Sequence, residues 1–192
     1  MTPNFFGWFC RDIAILVTAG LVLSELHAWQ QNTTSVPLAV SASVVGFIFT
    51  YVLIYIAHEW GHWVGARLTR SDMPFAPYRS PLIGYFDPSK HSTAQFLSLS
   101  WGGVLAYLGA SGATGFIFFG APGPLTGGMA VAGLAFTVQS LAVDLPQIIK
   151  VHRHADPQTT NQAGTMPNLI LKRTWQTWLP LAAILLIWNL AL

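Results

Sequence analysis

The chain has 192 residues, of which 53% are hydrophobic and only 8% charged, against roughly 25% charged in an ordinary soluble domain. That composition excludes a soluble globular protein, and a scattered net charge of +2 excludes the continuous basic face that nucleic-acid binding requires. Five spans of roughly 20 residues would use about 100 positions, so the remainder suffices for connectors and ends but not for a separate soluble catalytic domain.

In chain order, long apolar runs predict an all-α, polytopic membrane protein of about five transmembrane helices, at 13–29, 38–64, 94–119, 128–149 and 175–192. The whole chain reads as one transmembrane helical domain. Its first run is expected to be a retained span rather than a removed signal peptide, because Asp12, Glu25 and His27 frame it and no clean small-residue cleavage pattern follows. Cys10 is the single cysteine, which rules out an internal disulfide and predicts a small buried apolar side chain. Connectors carry turn chemistry, as in Gln30-Gln31-Asn32-Thr33-Thr34 and Gly120-Ala121-Pro122-Gly123-Pro124.

Arg11 precedes the first run, Arg67, Arg70, Arg79 and Lys90 fall between the second and third, and Lys150, Arg153, Lys172 and Arg173 between the fourth and fifth. With five spans every cation lies on one side, which the positive-inside rule makes cytoplasmic. The expected location is a bacterial inner (cytoplasmic) membrane with a cytoplasmic N-terminus. Trp8, Trp29, Trp175 and Trp178 fit interfacial belts that anchor the protein in lipid. Small residues crowd the third and fourth runs, among them Gly102, Gly103, Gly109, Gly112, Gly128 and Gly133, and predict close helix packing within the bundle.

The second run contains His58-Glu59-Trp60-Gly61-His62, which matches the H-E-x-x-H zinc pattern. Two histidines four residues apart share one helix face and can hold one metal ion between them. A catalytic Zn2+ takes three protein ligands, keeps one position for water, and lowers that water's pKa toward about 7. Glu59 would accept its proton and pass it to the leaving nitrogen of a peptide. A chance match is disfavoured, because ionisable groups within a span are costly and are usually functional or paired.

Asp144 is the best candidate for the third ligand, being the acidic residue of the otherwise apolar fourth run. His62 precedes Arg67 by five residues and Asp144 precedes Lys150 by six. At about 1.5 Å per residue both lie within roughly 10 Å of the cytoplasmic boundary. Pro146 is expected to loosen the helix end and let the carboxylate turn inward. The competing candidates His91, His152, His154, Asp72 and Asp87 fall in polar loops, and Glu25 and His27 fall at the opposite membrane face. Haem fits poorly, since two histidines on one helix face cannot take opposite axial positions.

The stretch Ala57-His58-Glu59-Trp60-Gly61-His62-Trp63-Val64-Gly65-Ala66-Arg67 resembles the first motif of the site-2 protease family of intramembrane zinc metallopeptidases. Trp101-Gly102-Gly103-Val104-Leu105-Ala106 is similar to the Gly-rich start of that family's intervening span. The resemblance covers roughly residues 45–150 and implies a three-helix metallopeptidase-like core. It implies His58, His62 and Asp144 as zinc ligands and Glu59 as the catalytic acid and base. The resemblance is that of a divergent member: the chain has no Asn or Pro in 136–143, and Leu145 stands where the family carries Gly. Gln139 and Gln95 are the available side chains to replace that Asn.

The expected function is an intramembrane zinc metallopeptidase that cleaves transmembrane or juxtamembrane peptide bonds near the cytoplasmic face. Its partners would be membrane lipid and a transmembrane protein substrate, with Zn2+ as cofactor. The alternative is a non-catalytic peptidase-like subunit or scaffold of a larger membrane complex, in which bulky substitutions at Gly109 or Gly112 would disrupt packing.

Overall fold

A computed structural model describes residues 3–30, 35–77 and 82–160. Four long helices, α1 (Pro3–Gln30), α2 (Val36–Leu68), α3 (Thr93–Gly120) and α4 (Pro124–His154), are joined with two short 3-10 turns, Pro88–Lys90 and Pro157–Thr160. All four are long and apolar enough to cross a membrane. The run at 175–192, together with Arg79, Lys172, Arg173, Trp175 and Trp178, lies outside the described residues.

Each helix extends past its apolar run, because local capping rather than hydropathy ends it. Pro124 opens α4 four residues before the expected start, at a position where a missing N–H costs nothing. Ser92 and Gln95 form a reciprocal capping box at the start of α3. At the end of α2, Arg70 takes a left-handed φ of 55°, and the Ser71 amide closes on the Ala66 carbonyl at 2.9 Å. Pro146 does not loosen α4, which runs unbroken through it to His154.

The helices alternate in direction. Gln95 Nε2 donates to the Thr69 carbonyl at 3.3 Å and Thr93 Oγ1 to the Ala155 carbonyl at 2.6 Å, so the end of α2, the start of α3 and the end of α4 meet. At the other end, Ser43 Oγ donates to the Pro124 carbonyl at 2.7 Å and the Leu125 amide donates to Gln30 Oε1 at 3.3 Å. This alternation gathers the elements bearing Arg67, Arg70, Lys90, Lys150 and Arg153 at one end of the bundle.

Close approach between helices runs through a subset of the glycines. Cβ atoms placed on Gly61, Gly65 or Gly102 would strike the carbonyl oxygens of Gly102, Ser98 and Gly61 respectively. Ser98 Oγ also donates to the Gly65 carbonyl at 2.7 Å, tying α3 to α2. Gly46 and Gly128 seat α2 against α4 in the same way, and Gly133 seats α4 against α3. Gly109 and Gly112 do not belong to this set. They are exposed, and nothing lies within 4 Å of a Cβ built there, because their side of α3 turns outward with Leu105 and Phe116.

The connector after α2 folds over the cation-rich end. Phe75 and Gly84 form an isolated antiparallel bridge, and Met73, Ala76 and Ile83 pack with Trp8 and Ala66 into a buried cluster. Trp8 is therefore not a lipid anchor. It is 1% exposed, its Nε1–H donates to the Ala76 carbonyl at 2.7 Å, and the Arg11 guanidinium lies 3.7 Å over its ring. Helix phase is the reason: Trp8 and Asp12, four apart, face the bundle, whereas Phe6, Phe9 and Ile13 face outward. The same phase leaves Cys10 exposed rather than buried.

Trp8→Phe keeps an aromatic side chain but loses the indole N–H and leaves the Ala76 carbonyl without that donor, a loss of about 1–3 kcal/mol. Thermal melting in detergent is expected to show a lowered Tm for Trp8→Phe and an unchanged one for Trp29→Phe, since Trp29 is 60% exposed.

Candidate metal centre

α2 carries His58 and His62 on one face, one turn apart and directed at each other. Their ring centroids are 4.3 Å apart and their Nε2 atoms 3.1 Å apart. Two nitrogen ligands of a tetrahedral zinc, each at about 2.0–2.1 Å, stand roughly 3.3 Å from one another, so the pair has the spacing of one edge of such a site.

His62 Nδ1 lies 2.9 Å from the Leu99 carbonyl. A carbonyl only accepts, so Nδ1 carries the proton and Nε2 keeps its lone pair for His58 or for a cation. The ring fits because α3 has Gly103 beside it: a Cβ there would come within 2.6 Å of Nδ1 and 2.7 Å of Nε2. His58 is buried, and its Nδ1 has no hydrogen-bond partner although the Gly103 backbone runs alongside. The facing nitrogens are compatible with one shared proton or with one shared cation.

Glu59 sits on the adjacent part of the same helix and is 8% exposed. Its Oε2 accepts the Ile83 backbone N–H at 2.9 Å, so the connector rather than the histidine pair engages this oxygen. Behind it, Trp60 Nε1 donates to Asp12 Oδ2 at 2.8 Å, and Asp12 Oδ1 is paired with Arg11 at 2.7 Å. In the sequence Asp12 marks only the edge of the first span. Its i, i+4 spacing from Trp8 and its place beside Arg11 were the available signals of a buried pair.

Asp144 is half-buried on α4, and its Oδ2 is buried with no partner. It lies within electrostatic reach of Glu59 and of Tyr107. Phe136, two turns earlier on α4, packs edge-on against His58 at 5.6 Å. From the Tyr51–Gln139 contact, His58 lies about 10 Å along α2 and Asp144 about 8 Å along α4, so the carboxylate is close in level to the pair. Among the described residues no three His, Cys, Asp or Glu side chains are gathered as a ready metal-binding group. The structure thus brings His58 and His62 together, sets Glu59 beside them, and leaves Asp144 nearby without joining it to the pair.

The other candidates are engaged elsewhere or exposed. His91 stacks on Phe86 at 4.2 Å, its Nε2 accepts the Asp72 amide at 3.0 Å, and its Nδ1 lies 2.7 Å from the Asp87 carbonyl. Asp87 accepts from Ser89 and pairs with Lys90 at 3.5 Å. The Ser89 hydrogen bonds hold its carboxyl below the usual carboxylate range. His152 and His154 are exposed. Of the glutamines, Gln139 accepts from Tyr51 at 2.5 Å on the α2–α4 interface, whereas Gln95 is used in the α3 cap.

Comparison of the chain with protein-family models, with curated proteins and with solved structures returned no match.

Proposed function

We propose that this protein is an intramembrane zinc metallopeptidase of the site-2 protease kind, cleaving transmembrane or juxtamembrane peptide bonds near the cytoplasmic face of a bacterial inner membrane. The observation that carries the reading is the 3.1 Å His58–His62 Nε2 pair, with the His62 tautomer set by the Leu99 carbonyl. His58, His62 and Asp144 would hold the ion, and the unpartnered Oδ2 of Asp144 suits a carboxylate that lacks its natural counterpart. Zinc, when bound, supplies Lewis acidity toward a peptide carbonyl and toward water.

The protein's own residues do the rest. Ile83 holds Oε2 of Glu59, so Oε1 is the oxygen that takes a proton from the attacking water. As the water oxygen bonds to the carbonyl carbon and the C–N bond breaks, Glu59 returns that proton to the departing nitrogen. A substrate helix must unwind locally first, because its carbonyls are otherwise hydrogen-bonded and shielded. Ile83, which bonds Glu59, belongs to the buried cluster of Trp8 and Ala76, so the connector packs against this side of Glu59.

A second reading, a non-catalytic peptidase-like subunit or scaffold of a larger membrane complex, draws on the absence, among the described residues, of three gathered metal-binding side chains. Glu59→Gln separates the two. Reconstituted wild-type protein is expected to cut transmembrane peptides, with fragments read by mass spectrometry. Glu59→Gln should slow that cleavage roughly 10²–10⁴-fold while keeping its zinc and its Tm. No cleavage by either form would leave the scaffold reading, and equal cleavage by both would remove Glu59 as the acid and base.

A further inference from the structure

Tyr107 is the largest side chain beside the histidine pair to which the mechanism gives no part. It is 0% exposed, yet its hydroxyl has no hydrogen-bond partner. It stands one turn from Gly103 on α3, the glycine against which His62 rests. Its ring lies 5.6 Å from that of His58 and 5.8 Å from that of Phe136. Tyr107 shares a buried cluster with Phe136 and Ile148 of α4, against which Leu141 also packs, and Asp144 lies between Leu141 and Ile148 at helical spacing, with an equally unpartnered oxygen, Oδ2.

The two unpaired groups are chemically complementary. A phenol donates, an ionised carboxylate only accepts, and hydrogen bonds of that charged kind are among the stronger ones in proteins. A buried polar atom without a partner is unfavourable, so two of them on packed helices, beside one cluster, mark an arrangement that is completed in another state of the site. A metal-binding carboxylate needs its orientation fixed by a second hydrogen bond, and loss of such a partner typically weakens metal binding 10–100-fold.

We propose that Tyr107 is the positioning residue for Asp144: in the metal-loaded protein its hydroxyl donates to the Asp144 carboxylate and holds it toward His58 and His62. This inference rests on the zinc reading above. It deepens that reading by naming the α3 side chain that brings the α4 ligand to the α2 pair.

The test uses the full chain in detergent micelles, titrated with Zn2+ and with Co2+, whose visible bands report ligand geometry. Tyr107→Phe is expected to weaken Zn2+ binding 10–100-fold and to shift the Co2+ bands. Its metal-free Tm should equal or exceed that of wild type, because the substitution removes an unpaired hydroxyl. Asp144→Asn should weaken binding at least as much, and combining the two substitutions should add nothing further, the signature of groups acting as a unit. Wild-type affinity and Co2+ spectrum in Tyr107→Phe, beside an impaired Asp144→Asn, would overturn the role of Tyr107 and leave the metal site standing. A lowered metal-free Tm, or fully additive effects, would overturn it as well. A wild-type chain that takes up neither metal would remove the zinc reading and this inference together.

Discussion

Purified protein is expected to carry one equivalent of zinc, and His58→Ala or His62→Ala to abolish stoichiometric loading. The two nitrogens already face each other at 3.1 Å, so binding needs no rearrangement of α2, and removing either leaves a single imidazole. Bound ion stabilises the fold by mass action, about 4 kcal/mol at a thousandfold excess over the dissociation constant. A chelator should therefore lower the wild-type Tm and leave both alanine variants unchanged. Gly103→Ala keeps both ligands but places a methyl group 2.6–2.7 Å from the His62 ring nitrogens. The ring must shift, and affinity is expected to fall at least about tenfold, as for other losses of ligand orientation. His91→Ala should retain zinc, because both nitrogens of His91 are committed to the connector. If the pair shares a proton rather than a metal, chelator will not move the wild-type Tm, and inductively coupled plasma measurements will find no zinc.

The histidine pair was legible in the sequence because helical periodicity alone puts i and i+4 on one face, whatever the helix packs against. The four described helices were legible for a similar reason, since a run of apolar residues long enough to cross a bilayer has few other fates. What the sequence did not disclose depends on phase and on partners. Averaging over an apolar run discards the direction of each side chain, so Trp8 and Cys10 exchanged their expected places. Counting residues to the nearest cation puts His62 and Asp144 in one layer, but such a count gives a level along the helix axis and not the direction of a side chain. Among the described residues the Asp144 carboxylate is not gathered with the pair into one group. Ile83 as the partner of Glu59 was out of reach for a different reason. A backbone amide has no sequence signature, and the connector's fold depends on Trp8, more than seventy residues earlier.

Small residues spaced for helix contact tell how closely two helices can approach, not which side of each helix does so. The structure resolves this into opposite expectations for glycines of the same helix. Gly102→Val and, on the facing helix, Gly65→Leu drive carbon into backbone carbonyls that no rotamer change can move. The α2–α3 contact must open, at about 3 kcal/mol or more, which is roughly 6–12 °C in Tm for a chain of this size. Because the same contact seats His62 against Gly103 and Leu99, zinc loading should fall along with Tm. Gly109→Leu and Gly112→Leu instead add an apolar side chain to an open, outward face of α3 and are expected to leave both readings near wild type. Melting curves and zinc content for the four variants decide the matter: equal losses at all four would mean that the outward face of α3 is covered in the membrane, and no loss at Gly65 or Gly102 would mean that α2 and α3 do not pack through their glycines.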